Sequence, residues 1–236
     1  MSLIAGVIAA GAGLRLTRGR PGVVKPLVPV AGRPLSHWVV AGLGSAGAGS
    51  ITVLTNGRGG GLPPSLSAAF PGISFDFMTA DTGSSYESFV LVCRRLAGRA
   101  DAFLVSCVDA VADPGDVSRF WERCRASRPD AGLALTARLD DDAPLWADVD
   151  AAGRVTALGE DARRRRLATC GLYYMTRGLA ERLPEPPAHA RLRDYWRALV
   201  ASGARVRGAV LAEAFDVDRP EDVAAVEERL RLGPLA

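Results

Sequence analysis

The stretch Leu3-Ile4-Ala5-Gly6-Val7-Ile8-Ala9-Ala10-Gly11-Ala12-Gly13-Leu14-Arg15-Leu16 decides the fold. Its first seven residues form an uncharged apolar run of strand length. Because it is continuous rather than alternating, it predicts a strand covered on both faces. The glycines that follow predict a tight turn at the strand's end. Gly11 and Gly13 match the start of a dinucleotide fingerprint, but Leu16 stands at the third glycine, and Arg18, Gly19, Arg20, Pro21 and Gly22 follow as loop chemistry instead of a helix. A Walker-type phosphate loop is absent from the chain. Such a turn still lets backbone N–H groups of Ala9, Ala10, Gly11 and Gly13 come close to a phosphate or a base.

Working outward, the apolar runs 51–55, 73–78, 102–107 and 132–137 repeat the first strand's pattern. The helix-period segments 35–46, 85–97 and 116–127 fall between them. A β-α-β-α-β order of this kind predicts an α/β fold, a mostly parallel sheet with helices on both sides. In the second half, residues 146–150 and 154–159 read as a hairpin, 168–175 and 205–211 as strands, and 194–201 and 220–232 as helices. No linker or repeat interrupts the 236 residues. One domain over 1–236 is expected, with an irregular C-terminal half.

The net charge of +3 is mildly basic and only weak evidence for nucleic acid or a membrane, and no nucleic-acid partner is expected. With no long uncharged apolar run and no basic leader at the start, no membrane span, signal peptide or membrane partner is expected; a cytoplasmic location is. Cys93, Cys107, Cys124 and Cys170 lie far apart without paired spacing, so neither a zinc site nor a disulfide framework is indicated. Of 29 basic residues, 28 are Arg and one, Lys25, is Lys. Arginine-biased usage explains the ratio but not the exception. A position that needs a compact ammonium on a flexible stem does explain it.

Lys25 opens the string Lys25-Pro26-Leu27-Val28-Pro29-Val30-Ala31-Gly32-Arg33-Pro34-Leu35. Prolines stiffen that arm, and Arg15 and Lys25 together supply two cations able to clamp a polyphosphate. The glycine turn followed by this string resembles the sugar-nucleotide pyrophosphorylases, nucleotidyltransferases that join a nucleoside triphosphate (NTP) to a sugar phosphate or another phosphorylated alcohol. More loosely, Gly83-Ser84-Ser85 is similar to the family's helix-opening segment beside the base, and Val105–Asp109 to its strand ending in a magnesium-binding Asp. Cys170-Gly171-Leu172-Tyr173 is similar to its acceptor-lining strand, and Asp216-Val217-Asp218-Arg219-Pro220-Glu221-Asp222 to its closing metal motif. The resemblance implies a three-layer α/β/α sandwich around a Rossmann-like sheet, of the GT-A-like nucleotidyltransferase kind, with a nucleotide-binding half of about 1–130 and an acceptor-binding half of about 131–236 that carries the second metal motif.

It further implies catalysis by Arg15 on the leaving phosphates and Lys25 at the α-phosphate. Nucleotide contacts are expected from Ala9, Ala10, Gly11, Gly13, Thr79, Gly83 and Ser84, a Mg²⁺ ion at Asp109, Asp216 and Asp218, and acceptor contacts from Gly171 and Tyr173. An NTP and a small phosphorylated acceptor are the expected partners, with a homodimer left open. Bland readings stand beside these: Asp109 as a strand-end turn, Asp218 as the cap of the last helix, His37 and His189 as structural residues, Arg163–Arg166 as a solvated loop and Asp140-Asp141-Asp142 as an exposed turn. Relatives carry a Lys near 163–166 for the acceptor phosphate, and this chain has none. A cytidylyltransferase for a small alcohol or phosphonate, a glycosyltransferase using Asp216-Val217-Asp218, and an inactive nucleotide-binding regulator remain as alternatives.

Overall fold

The computed structural model describes residues 3–17, 22–138 and 143–233. The expected loop at 18–21 and turn at Asp140-Asp141-Asp142 lie outside them. The first half runs β1 (Leu3–Ala9), β2 (Pro29–Val30), β3 (Arg33–Pro34), α1 (Leu35–Ser45), β4 (Ala48–Thr55), α2 (Leu62–Ala69), β5 (Ser74–Thr79), α3 (Ser85–Ala97), β6 (Ala102–Cys107), β7 (Ala110–Ala112) and α4 (Pro114–Ser127). The second half runs β8 (Ala131–Thr136), β9 (Ala147–Val149), β10 (Val155–Leu158), β11 (Ala168–Thr176), α5 (Arg177–Ala180), α6 (Leu192–Ala201), β12 (Val206–Val210), β13 (Ala214–Asp216) and α7 (Pro220–Arg231).

Seven strands form the central sheet in the order β12-β8-β11-β6-β1-β4-β5. All neighbours pair in parallel except β11, which runs antiparallel to both β6 and β8. The sheet is therefore mostly parallel, as the continuous apolar runs predict. Its two faces are sealed by separate cores. One packs α3, α5 and α6 through Phe89, Phe103 and Trp196; the other packs α1, α2 and α4 through Leu43, Leu66 and Phe120. Helix α2 is not among the helices expected from the sequence, and it carries Pro63 and Pro64. Both occupy the first turn, where a missing N–H costs nothing.

A third, smaller core matters most for the site. Leu16, Val28, Val30, Leu35, Val111, Phe215, Val217 and Val226 pack together. This cluster joins the proline arm to α7 and to the two-stranded ribbon of β7 and β13, in which Asp216 pairs with Ala110. The Ala31 N–H donates to Glu227 Oε1 at 2.9 Å, and the Trp38 indole donates to Val30 O at 3.0 Å. Segments some 200 residues apart thus share one rigid patch beside the carboxyl ends of β1 and β6. Ligands bind at that edge in open α/β sheets.

Candidate active site

Three chain segments converge at the carboxyl edge of the sheet. After β1 the chain turns through Gly11 and Gly13. Gly13 has φ +62°, and a Cβ there would lie 2.5 Å from Lys25 Cβ, so the turn and the arm touch where only glycine fits. Beyond β6, Val108 N–H donates to Ile8 O at 3.0 Å, which carries Asp109 past the strand end. The backbone O of Asp109 accepts from Val217 N–H at 3.0 Å, which places the 216–218 segment alongside.

The side chains meet there. Lys25, with 6% of its surface exposed, donates from Nζ to Asp109 Oδ2 at 2.6 Å and also to Asp218 Oδ1. Arg15 Nη2 donates to the other Asp218 oxygen at 2.5 Å. Burial alone would lower the Lys25 pKa; the facing Asp109 and Asp218 carboxylates outweigh it and hold the ammonium above its ordinary value. Burial likewise pushes the Asp218 carboxyl up, and the Lys25 and Arg15 charges overcome that and hold it below its ordinary value. Asp218 does not cap the last helix. Asp222 does so, accepting from the N–H groups of Asp218 at 2.8 Å and Arg219 at 2.7 Å, which leaves the Asp218 carboxylate to the cations.

Asp109, Asp216 and Asp218 can each bring one carboxylate oxygen within 4.8 Å of the other two. Three hard anionic oxygens at this spacing fit a divalent cation such as Mg²⁺, which takes carboxylate and phosphate oxygens.

Among the clefts that open on this centre, two share Asp109. The larger, of about 710 Å³, is walled by Ala10–Arg15, Lys25, Gly83, Ser84 and Asp109. Ser84 caps α3 by accepting from Glu87 N–H at 3.1 Å, and Gly83 N–H donates to Glu87 Oε2 at 2.7 Å. The smaller, of about 280 Å³, is walled by Cys107, Asp109, Gly171, Tyr173, Trp196 and Asp216, with Arg191 and Arg193 at its rim. Gly171, at φ +76°, sits where the β11–β8 register shifts, and a Cβ there would lie 3.0 Å from Ala110 Cβ. This bulge lets β11 pass close to the ribbon that carries Asp216.

Of the expected contacts, Arg15, Lys25, Ala10, Gly11, Gly13, Gly83, Ser84 and Asp109 share the larger cleft, and Gly171 and Tyr173 the smaller. Ala9 lines an adjoining hollow with Gly11 and Lys25. Thr79 ends β5 and does not line the large cleft. Tyr174, the next residue on β11, lies outside the smaller cleft, its ring centroid 5.8 Å from that of Trp121. Arg163 and Arg164 lie on an exposed loop held by Asp148, outside both clefts. The histidines are structural: His37 bonds Ser65 Oγ at 2.9 Å, and His189 sets its edge on Tyr86.

Sequence reasoning missed Asn56, whose amide donates to Ala10 O at 3.0 Å and braces the glycine turn, and Arg58, which joins the large cleft. An Asn-Gly pair directly after an apolar strand was the available signal. It also missed Arg191 and Arg193, which stand at the start of α6 in a stretch without a motif.

No curated protein matches the chain by sequence. Solved structures match it closely in shape at low identity. The inositol-1-phosphate CTP transferase from T. maritima aligns with TM-score 0.80 and 18% identity, over 99% of this chain and 98% of its own. A UTP-bound UGPase from Acinetobacter baumannii aligns with TM-score 0.79 and 19% identity, over 100% and 96%. HddC from Yersinia pseudotuberculosis complexed with GMP-PN aligns with TM-score 0.73 and 18% identity, over 98% and 100%. These likenesses establish the nucleotidyltransferase fold. The family model of the MobA-like NTP transferase domain matches residues 5–176, most of the chain, including the glycine turn, Lys25 and Asp109. The chain therefore belongs to the MobA-like NTP transferase family, enzymes that transfer a nucleotidyl group from an NTP.

Proposed function

We propose that the protein transfers a nucleoside monophosphate from an NTP to a sugar-1-phosphate or cyclitol phosphate, with Mg²⁺, and releases pyrophosphate. One observation carries this reading: Asp109 and Cys107 wall both clefts. Two pockets that meet at an acid and a buried ammonium suit two substrates that react at their contact. A solved neighbour named for inositol 1-phosphate supports a phosphorylated polyol acceptor, and one bound to UTP supports an NTP donor. A single domain fits too, since the central sheet draws strands from both halves of the chain.

In this reading the triphosphate lies in the larger cleft and the acceptor in the smaller. An acceptor phosphate oxygen attacks the α-phosphorus. The new P–O bond forms as the bond to the β-phosphate oxygen breaks, and pyrophosphate carries the electron pair away. The nucleophile is already ionised at neutral pH, so no side chain has to accept a proton. Catalysis is alignment and charge neutralisation. Lys25 turns from the carboxylates to the α-phosphate, and Arg15 follows the leaving phosphates. Arg191 and Arg193 offer the acceptor phosphate the cations that 163–166 do not. Asp109, Asp216 and Asp218 would hold the Mg²⁺, which when bound draws phosphate oxygens together and neutralises their charge.

Pyrophosphate release, screened with four NTPs against glucose 1-phosphate, inositol 1-phosphate and aminoalkyl phosphates, tests the proposal. Release that requires both an NTP and a polyol phosphate supports it. Aminoalkyl-only turnover favours the cytidylyltransferase alternative for small alcohols. Transfer from a ready-made nucleotide sugar, or nucleotide binding without turnover, overturns it.

A further inference from the structure

Helix α6 borrows its cap from a distant part of the chain. Helices α3, α4 and α5 each follow a residue whose own side chain accepts from the first turn: Ser84, Asp113 and Thr176. In α6 that place belongs to Arg191, which has no acceptor to offer and makes no side-chain cap. Ser85 supplies the acceptor across 107 residues, its Oγ receiving the Leu192 N–H at 3.0 Å. The bond ties the first residue of α3 to the first residue of α6. Rings hold the same two helices together, Tyr86 against Tyr195 and Phe89 against Trp196, each pair with centroids 5.4 Å apart. A ring contact, however, does not orient a backbone N–H. Arg191 and Arg193 stand at the positive end of the α6 dipole, where a cation is unfavourable, and Asp194 in the first turn offsets part of that cost. Ser85 is itself exposed and walls both the larger and the smaller cleft, as Cys107 and Asp109 do.

We infer that Ser85 is a positioning residue for the acceptor, acting through Arg191. The inference rests on the proposed function, in which the smaller chamber takes the phosphorylated polyol. The peptide unit that ends at the Leu192 N–H begins at Arg191 and is planar, so a bond to that N–H fixes the plane from which the Arg191 side chain departs. A guanidinium grips a phosphate well when its fork is aimed at the oxygens, and a small misplacement of a group that aligns substrate is costly. Ser85 follows directly on Gly83 and Ser84 in the wall of the larger cleft. One hydroxyl therefore sets the cation at the acceptor chamber relative to the wall of the nucleotide cleft.

The test is steady-state pyrophosphate release by wild type, Ser85→Ala, Ser85→Thr, Arg191→Ala and the double variant Ser85→Ala/Arg191→Ala, with inositol 1-phosphate and glucose 1-phosphate as acceptors. Ser85 is exposed, so none of its substitutions opens a cavity in the core. Ser85→Ala raises the acceptor KM about fivefold, the scale of one ordinary hydrogen bond, while the NTP KM stays within about twofold. Ser85→Thr, which keeps the hydroxyl, regains most of the loss. In the Arg191→Ala background, adding Ser85→Ala costs less than about twofold further, because the group that Ser85 aims is gone. Four results overturn the inference and leave the proposed function standing: an unchanged acceptor KM in Ser85→Ala, a rise shared equally by the NTP KM, a loss that Ser85→Thr does not recover, or a full fivefold cost without Arg191. Failure of the wild type to use any polyol phosphate sinks the proposed function and this inference with it.

Discussion

Lys25 Nζ lies 2.6 Å from Asp109 Oδ2, across 84 residues of sequence. A lone ammonium at the tip of a proline-stiffened arm is seated among the carboxylates that suit a metal ion. In this arrangement the lysine occupies the place of a cation; in the proposed mechanism a triphosphate draws it away.

Lys25→Met and Asp109→Ala should each lower turnover at least about a hundredfold, the scale of losing one preorganised charge at a reacting phosphate. Circular dichroism should show the fold retained. Lys25→Arg should not restore activity, since a planar fork does not fit the position of a compact ammonium. Near-normal turnover in either of the first two variants contradicts the assignment.

Removing the ammonium also exposes the acid trio. Lys25→Met should gain more in Tm from added Mg²⁺ or Mn²⁺ than the wild type does, because no internal cation competes for Asp109 and Asp218. Equal metal-induced shifts in both proteins contradict this.

Gly13→Ala tests the contact between turn and arm. A non-glycine residue at φ +62° costs about 1–2 kcal/mol, and its Cβ presses on the Lys25 stem. The expected result is a modest fall in the urea midpoint with a disproportionate loss of turnover. A loss of stability alone would mean that the arm relaxes freely.

The ionic centre fixes the pH limits of its own contribution. Asp218 titrates below its ordinary value of 3.8 when folded, so its contribution is complete above 3.8 and is lost as pH falls through the lower folded value. Lys25 titrates above its ordinary 10.5, so its contribution is complete below 10.5 and fades as pH rises through the folded value. Urea midpoints of wild type and Asp218→Asn should differ by a constant amount across neutral pH and converge below pH 3.8. A gap that persists at strongly acid pH would show that the Asp218 contribution is not ionic.

Arg191 has no ion-pair or hydrogen-bond partner for its side chain among the described residues, and it stands at the rim of the smaller chamber. Arg191→Ala should raise the acceptor KM about tenfold, as loss of a charge-assisted bond does. The NTP KM should barely move. A rise in the NTP KM instead would place the triphosphate in the wrong cleft.

The larger cleft was legible in the sequence because its walls use residue types with local meaning. The glycine turn, the sole lysine after it and the acids at strand ends stand out in the one-dimensional order. The sheet was legible for the same reason: uncharged runs such as residues 3–9 have no stable place except under two helical layers. What stayed hidden depends on tertiary closure. The third core that carries Asp216 to Asp109 joins three distant segments by Val and Phe contacts without any motif. Arg191 reads as one arginine among 28 until the turn into α6 brings it to the chamber. Thr79 stays outside the large cleft because β5 is the edge strand of the sheet, away from the β1–β6 junction where the clefts meet.

The most direct measurement is a crystal structure with Mn²⁺ and an α,β-methylene NTP bound. It should show Lys25 Nζ released from Asp109 and bonded to an α-phosphate oxygen, Arg15 on the β- or γ-phosphate, and the metal between Asp109 and the 216–218 pair. A triphosphate bound elsewhere, with Lys25 still seated on Asp109 and the metal away from all three acids, would contradict the account.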